Sequence, residues 1–189
     1  DTGVRLLLMD GQLKDRKSIG VPSGTVIQVE NLFYNVPARL KFLNKEATER
    51  GLTKRIVSRY AMAYPYVRFS FTSENRQGFQ SYGNGNLLDV LSDIYGVDVA
   101  GKMLDICTLE QDSISVSGVV SIPELSRSNR QEITFFINGR HIYDTQLNVA
   151  VMRAYRTLLM TGRYPIAVVS IMIPPSKIDV NVHPTKSEV

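Results

Sequence analysis

The sequence is poor in the residues that build disulfide frameworks, zinc sites and membrane spans. It has one cysteine, Cys107, two histidines and no tryptophan among 189 residues. A single cysteine excludes an internal disulfide framework, and no cysteine and histidine spacing resembles a structural zinc site. No run of about 18 apolar residues occurs, which excludes a transmembrane helix. With 43% hydrophobic and 21% charged residues, the composition is that of a globular protein, which excludes disordered and collagen-like chains.

Self-contained catalysis has little support in the sequence. A nucleophile needs a nearby base and a third group that orients it, and only Cys107 and His183 could begin such a set. Nothing near Cys107 indicates activation, so we expect a buried small hydrophobic residue there, and a turn or hydrogen-bonding role for His183. Residues 83–85, Gly-Asn-Gly, lack the further glycine and lysine of a phosphate-binding loop. The start at Asp1 has neither an initiator Met nor a signal-peptide layout, and we expect an internal fragment.

The positive charge is concentrated in one segment. The formal net charge of the chain is +4, yet residues 39–59 contain two acidic and seven basic residues: Arg39, Lys41, Lys45, Arg50, Lys54, Arg55 and Arg59. A basic helix of this kind attracts phosphate backbones. The alternative is an ordinary solvated helix face, which is what most charge runs are.

The first third of the sequence predicts antiparallel strands followed by helices. Residues 4–9 and 24–30 have the apolar and alternating patterns of strands, and Asp10-Gly11 predicts a tight turn. Asn35 is a candidate helix cap with Pro37 in the first turn. A basic amphipathic helix is predicted over 48–62. We place the domain boundary after residue 64, because the proline that follows favours extended geometry before it.

The rest of the sequence predicts a sheet with packed helices. Strands are predicted at 67–72, 78–82, 103–110, 114–121, 132–138 and 166–173, with further alternation over 178–182. A helix is predicted to begin at the cap Asn86 and to end at Gly96. The clearest helix covers 144–159. Strand, helix and strand in this order predict a mixed α+β or α/β two-layer sandwich.

Two short segments combine a turn with a cation. Asn138-Gly139 is explained by a turn, and Arg140 after it is a planar donor suited to carboxylate or phosphate. Lys186 follows an alternating strand and could reach a phosphate as a mobile point charge, although an exposed lysine is the simpler interpretation.

Several blocks in this order resemble the MutL family of DNA mismatch repair proteins. They are Gly24-Thr25, the segment 32–43 (LFYNVPARLKFL), 136–140 (FINGR), 162–165 (GRYP) and 180–189 (VNVHPTKSEV). The resemblance implies that residues 1–64 are the C-terminal portion of a GHKL-type ATPase domain. It implies that residues 65–189 form a transducer domain with a left-handed βαβ fold shared with a ribosomal protein domain.

The resemblance also assigns roles to residues. Gly24 and Thr25 match the last nucleotide-pocket motif, and Lys186 matches the lysine that reaches the γ-phosphate of ATP, the one residue given a catalytic role. Arg140 matches a turn near a DNA-binding groove that forms on dimerisation. Some relatives carry arginines around Asp144 where this chain has Tyr143 and Thr145, so the remaining DNA-binding candidates are Arg153, Arg156, Arg50, Lys54, Arg55 and Arg59.

The parent protein implied by the resemblance is a weak ATPase that uses ATP and Mg. The magnesium-binding helix and the ATP lid have no counterpart here, so we expect no bound metal or cofactor and no ATP hydrolysis by this chain alone. Expected partners are DNA without sequence preference, a mismatch-recognition protein, a downstream nuclease or helicase, and a second copy in the ATP-bound state, but no membrane. Such a protein is cytoplasmic in bacteria and nuclear in eukaryotes. The alternatives are a nucleotide-independent nucleic-acid-binding module and a protein-interaction scaffold.

Overall fold

The computed structural model describes residues 2–74 and 76–178. The chain divides into two compact units, Asp1–Glu49 and Arg50–Val189. The division falls near the start of helix α2 (Glu46–Ala63), whereas the sequence places the domain boundary after residue 64. The assignment of 1–64 and 65–189 to two different domains stays a prediction.

The first unit begins with a β-hairpin. Strands β1 (Thr2–Met9) and β2 (Gln12–Gly20) pair in antiparallel fashion around Asp10 and Gly11. Both turn residues have positive φ, 53° and 74°, as a two-residue hairpin turn requires. The predicted tight turn is therefore confirmed. The strand predicted at 24–30 is wrong, since these residues have no regular structure. The partner of β1 is β2, which follows directly after the tight turn.

The short helix α1 (Pro37–Leu40) starts where proline at the first turn predicts a helix. Its cap residue is Val36, without a side-chain hydrogen bond, so the predicted cap at Asn35 is wrong. The Asn35 amide instead donates to Oδ1 of Asp10 at 2.8 Å, and the Tyr34 hydroxyl donates to the same oxygen at 2.6 Å. The Asn35 side chain is therefore bonded to the Asp10 carboxylate of the hairpin turn and does not cap the helix.

The second unit contains α2 from Arg50 onwards and the helices α3 (Leu87–Tyr95), α4 (Val97–Ala100) and α5 (Thr145–Ala154). The cap at Asn86 is confirmed, since its side chain accepts from the backbone N–H groups of Leu88 and Asp89. Gly96 ends α3 with φ at 98°. Helix α5 is shorter than the 144–159 predicted, because its cap is Asp144 and the chain turns at Tyr155, whose hydroxyl donates to the carbonyl of Ser121.

A five-stranded mixed sheet organises this unit. The strands are ordered β5-β6-β11-β8-β9 and cover Met103–Gln111, Ile114–Ser121, Ala167–Met172, Ile133–Ile137 and Arg140–Ile142. The central strand β11 is antiparallel to β6 and parallel to β8. Two-stranded ladders join β3 (Ser70–Ser73) to β4 (Arg76–Gln80), and β7 (Ser126–Arg127) to β10 (Tyr164–Pro165).

The helices cover both faces of this sheet. Phe136 and Val168 belong to a core with Ala61 and Met62 of α2 and Leu91 of α3. Their strand neighbours, such as Phe135 and Val169, point to the opposite face and form a second core, against which Leu147 and Val151 of α5 pack. The mixed α/β fold with the order strand, helix, strand is confirmed. The hand of the β8–α5–β11 crossover stays a prediction.

Cys107 is exposed, so its predicted burial is wrong. It lies on β5, an edge strand whose pairing with β6 is irregular between Ile106 and Leu109. Edge strands have a partner on one side only, and most of β5 is exposed. Within the described part of the chain, no helix is both long and apolar enough to cross a membrane.

Candidate nucleic-acid interface

Three of the basic side chains predicted on α2 are held by neighbouring groups of the second unit. Arg50 forms an ion pair with Glu74. Arg55 donates to Oε1 of Gln131 at 3.1 Å, and Arg59 donates to the Tyr143 hydroxyl at 2.9 Å. The side chain of Lys54, on the same helix, is half-buried. The basic helix is therefore tied to the sheet and its loops by the cations that the sequence suggested for DNA.

Arg59 and Tyr143 belong to a small aromatic cluster with His141. The Arg59 guanidinium lies 5.4 Å from the Tyr143 ring centroid, and the Tyr143 and His141 rings meet edge to face at 4.7 Å. Burial, together with a smaller effect of the nearby charge of Arg59, lowers the pKa of His141 to about 4. His141 is therefore neutral at physiological pH and adds no charge to this surface.

The predicted turn at Asn138-Gly139 is confirmed between β8 and β9, with φ at 49° and 78°. A Cβ at Gly139 would lie 2.8 Å from the Tyr64 hydroxyl, so glycine is required there for space as well as for conformation. Arg140 follows as the exposed first residue of β9. The structure does not join Arg140 by a hydrogen bond to any other predicted DNA-binding residue among those described.

Two of the predicted arginines do come together, at the C-terminal end of α5. Arg153 is in the last turn of the helix and Arg156 just beyond it, and both are exposed. They line a pocket of about 200 Å³, and the complete lining is Arg130, Asn148, Val149, Met152, Arg153 and Arg156. The lining residues include three arginines and no acidic residue, so the pocket is a candidate site for an anion.

The sequence interpretation missed Arg130. It lies in the loop before β8, outside the basic segment 39–59, and its neighbour Gln131 accepts the hydrogen bond from Arg55. Its guanidinium carbon lies 5.1 Å from the Tyr164 ring centroid. No local pattern signals this residue, because its position beside α5 depends on the pairing of β8 with β11. The structure thus places the α2 cations and the pocket next to the same loop.

Comparison with known proteins identifies the family. The family model "DNA mismatch repair protein, C-terminal domain" matches residues 91–189. The MutL mismatch repair protein of Streptococcus equi subsp. zooepidemicus is 44% identical over 187 residues, which cover 99% of this chain and 28% of that protein. This chain belongs to the MutL family of DNA mismatch repair proteins. It spans less than a third of the length of that curated relative.

Solved MutL structures share the fold. The ATPase domain of the Aquifex aeolicus mismatch repair endonuclease MutL has a TM-score of 0.71 at 25% identity, over 98% of this chain and 66% of that one. The Aquifex aeolicus MutL ATPase domain complexed with ADP has a TM-score of 0.67 at 27% identity, over 87% and 59%. The fold class implied by the resemblance to MutL is confirmed by these neighbours.

The residues that the MutL resemblance assigns to the nucleotide are not among the residues that line this pocket. Gly24 and Thr25 lie in the first unit, on an exposed stretch without regular structure. Gly24 has φ at 144°, and no atom lies within 4 Å of where its Cβ would be, so glycine is favoured there by conformation and not by a close neighbour. The description ends at residue 178, so Lys186, His183 and residues 179–182 of the predicted alternating segment lie outside it. Their roles stay predictions.

No metal centre is formed by the side chains that the structure describes, since no group of three or more His, Cys, Asp or Glu residues comes together in residues 2–74 and 76–178.

Proposed function

We propose that this chain is the part of a MutL protein that couples ATP binding and hydrolysis to dimerisation, DNA contact and recruitment of repair partners. The observation that carries the proposal is the fold shared with a MutL ATPase domain solved with ADP, over 87% of this chain at 27% identity. In this proposal the parent is a weak ATPase that uses ATP and Mg, and the chain alone does not hydrolyse ATP. The protein is cytoplasmic in bacteria.

The exposure of the N-terminal hairpin supports the assignment of residues 1–64 to the end of an ATPase domain. Leu6 is 53% exposed and Leu8 60% exposed. A two-stranded hairpin is marginally stable by itself and needs further surface on which to pack apolar side chains. We propose that the rest of the ATPase domain provides that surface.

The coupling step is assigned to Lys186. A cation that contacts the third phosphate distinguishes ATP from ADP, because only ATP offers that group, and a second domain is held in place only before hydrolysis. Gly24 and Thr25 are assigned to the nucleotide pocket in the same proposal.

The test uses the full-length parent protein with Lys186→Ala and, as a matched control, Lys102→Ala. Lys102 is an exposed lysine in a turn of the second unit. We expect Lys186→Ala to lower ATP turnover at least about 10-fold and to abolish dimerisation with a non-hydrolysable ATP analogue, measured by light scattering. We expect Lys102→Ala to keep wild-type ATP turnover and wild-type dimerisation. Wild-type turnover and dimerisation in Lys186→Ala contradict the proposal.

A nucleotide-independent nucleic-acid-binding module is the second candidate, and the pocket with three arginines favours it. The two candidates differ in one measurement on the parent protein. DNA affinity that changes with ATP occupancy supports coupling, and affinity that is the same with and without nucleotide supports the independent module.

A further inference from the structure

We propose that the pocket lined by Arg130, Arg153 and Arg156 binds the phosphodiester backbone of nucleic acid and is the main DNA contact of this chain, ahead of the basic face of α2. The inference deepens the proposed function and rests on it, because DNA is the ligand in both. The inference adds Arg130 to the candidate DNA contacts. It also ranks the pocket above α2, two basic surfaces that the composition of the sequence does not distinguish.

The charge of the pocket is unbalanced. Three arginine residues line a space of about 200 Å³, and no acidic residue is in the lining. Like charges at close range repel, and an anion held between them relieves that repulsion. Planar guanidinium groups suit phosphate oxygens because each presents paired N–H donors in a fixed plane.

The arginines of the pocket are available, whereas those of α2 are engaged. Within residues 2–74 and 76–178, the side chains of Arg153 and Arg156 have no hydrogen bond or ion pair. The guanidinium carbon of Arg130 lies over the Tyr164 ring at 5.1 Å from its centroid, a cation–π contact that uses no N–H donor in a hydrogen bond to an acceptor atom. On α2, Arg55 and Arg59 each already use part of the guanidinium group in a bond to Gln131 or Tyr143, so fewer of their donors remain for DNA. The pocket arginines Arg153 and Arg156 keep all their donors for a ligand.

The helix alone does not explain the cluster. Cations are favourable near a helix C-terminus, which accounts for Arg153 and Arg156 at the end of α5. Arg130 comes from a different element, the loop before β8, and still converges on the same space. The dipole of α5 does not account for a cation from a second element. Cations that converge from two elements are favourable for binding an anion.

The apolar part of the lining indicates more than a bare phosphate. Val149 is 44% exposed and lines the pocket with Met152, beside the guanidinium groups. Aliphatic side chains next to phosphate ligands offer a surface to the sugar or base edge of a nucleotide. The ligand chemistry is therefore a phosphate ester with its nucleoside, which DNA supplies as a chain of phosphodiesters and a free nucleotide supplies as a single phosphomonoester.

The test compares two triple variants of the full-length parent protein that remove the same charge. The pocket variant is Arg130→Gln, Arg153→Gln and Arg156→Gln, and the α2 variant is Lys54→Gln, Arg55→Gln and Arg59→Gln. Binding of a fluorescent duplex of about 30 base pairs is measured by anisotropy at several salt concentrations. We expect the pocket variant to lose at least about 10-fold in affinity and about one unit or more of salt slope. The α2 variant loses less than about 3-fold.

Two further measurements complete the test. The pocket triple Arg→Lys variant, which keeps the charge, retains most of the salt slope with weaker binding, because the paired donors are lost. Mononucleotide monophosphate competes with duplex only at about millimolar concentration if the backbone of DNA is the ligand. Displacement at micromolar concentration overturns the DNA assignment in favour of a free nucleotide. If the triple glutamine variant does not fold, as judged by circular dichroism, Arg130→Gln alone replaces it, with an expected loss of about 3-fold.

The remaining outcomes test the inference, the ranking of the two basic surfaces and the proposed function separately. Wild-type affinity and salt slope in the pocket variant overturn the inference and leave the proposed function standing. Equal losses in both triple variants overturn the ranking of the pocket above α2. A wild-type parent that does not bind duplex at low salt overturns the DNA contact in the proposed function itself.

Discussion

Asn138 and Ile173 form a double hydrogen bond between the β8–β9 turn and the end of β11. The side-chain amide of Asn138 donates to the carbonyl of Ile173 at 2.8 Å, and its Oδ1 accepts from the Ile173 N–H at 2.9 Å. The Asn138 backbone N–H also donates to the carbonyl of Ile171. The side chain thus extends the parallel pairing of β8 and β11 by one residue, a role that a turn signal in the sequence does not reveal.

Two substitutions of Asn138 distinguish the stability contributed by these side-chain hydrogen bonds from the cost of its positive φ. Asn138→Gly keeps the positive φ and loses both side-chain bonds, at a cost of about 1–2 kcal/mol in the local opening free energy. We expect amide exchange of Ile173 to be about 5–30-fold faster, measured by hydrogen exchange and mass spectrometry. Asn138→Ala adds the cost of positive φ, about 1 kcal/mol more. Unchanged exchange in Asn138→Gly contradicts the role assigned to the side chain.

Two glycine-to-alanine changes are expected to have opposite signs. Gly118 on β6 has φ at 140°, and a Cβ there would lie 2.0 Å from the carbonyl oxygen of Val168 on β11. Gly118→Ala is expected to destabilise the second unit by about 3 kcal/mol or more. Gly51 lies inside α2 with no atom within 4 Å of its Cβ position, so Gly51→Ala is expected to stabilise by about 0.5–1 kcal/mol.

Urea unfolding of both glycine variants, followed by circular dichroism, measures this difference. A stable Gly118→Ala variant contradicts the close approach of β6 and β11.

The depressed pKa of His141 predicts a dependence of stability on pH. The folded state holds this imidazole neutral down to about pH 4, while the unfolded chain protonates it near its usual 6.5. The unfolded state therefore binds more protons between these values, and stability falls as the pH is lowered from 6.5 to 4. Because the ring is only half-buried, we expect a loss of about 1–2 kcal/mol rather than the full shift.

The check is an NMR titration of His141 together with urea unfolding at several pH values. His141→Phe removes this part of the pH dependence. Arg59→Gln raises the pKa of His141, because the charge of Arg59 lowers it in the wild type. A midpoint near 6.5 in the wild-type protein contradicts the burial argument.

Asp144 provides a cap that holds the helix of the pocket. Its carboxylate accepts from the Leu147 N–H at 2.7 Å, and its carbonyl accepts from the Asn148 side chain at 2.6 Å. Asp144→Ala is expected to cost about 1 kcal/mol of stability, measured by thermal unfolding, whereas Asp144→Asn retains most of it. Equal stability of Asp144→Ala and the wild type contradicts the capping role.

The features that the sequence predicts well depend on residues close to one another along the chain. Asp10-Gly11 and Asn138-Gly139 are turns because their local residues accept positive φ, and Asn86 caps α3 through groups two and three residues away. The strands from Met103 to Ser121 also follow their local patterns closely.

The failures depend on partners distant in sequence. Asn35 bonds to Asp10, which lies 25 residues earlier, and is lost as a cap. Cys107 is exposed because β5 is at the edge of the sheet, a position that only the strand order determines. Arg130 lies beside Arg153 and Arg156 only in the folded chain, whereas the concentration of charge in the sequence predicts DNA contacts on α2, where Arg50, Arg55 and Arg59 are bonded to other residues.

The place of β11 in the sheet has a consequence for folding during synthesis. The hairpin β5–β6 and the hairpin β8–β9 lie on opposite sides of β11, which is the last of the five strands to be made. Until residues 167–172 leave the ribosome, the inner edges of both hairpins, including the apolar strand β8, have no partner. Such unpaired edges bind other chains readily, so the nascent protein is expected to be most prone to aggregation before β11 is made.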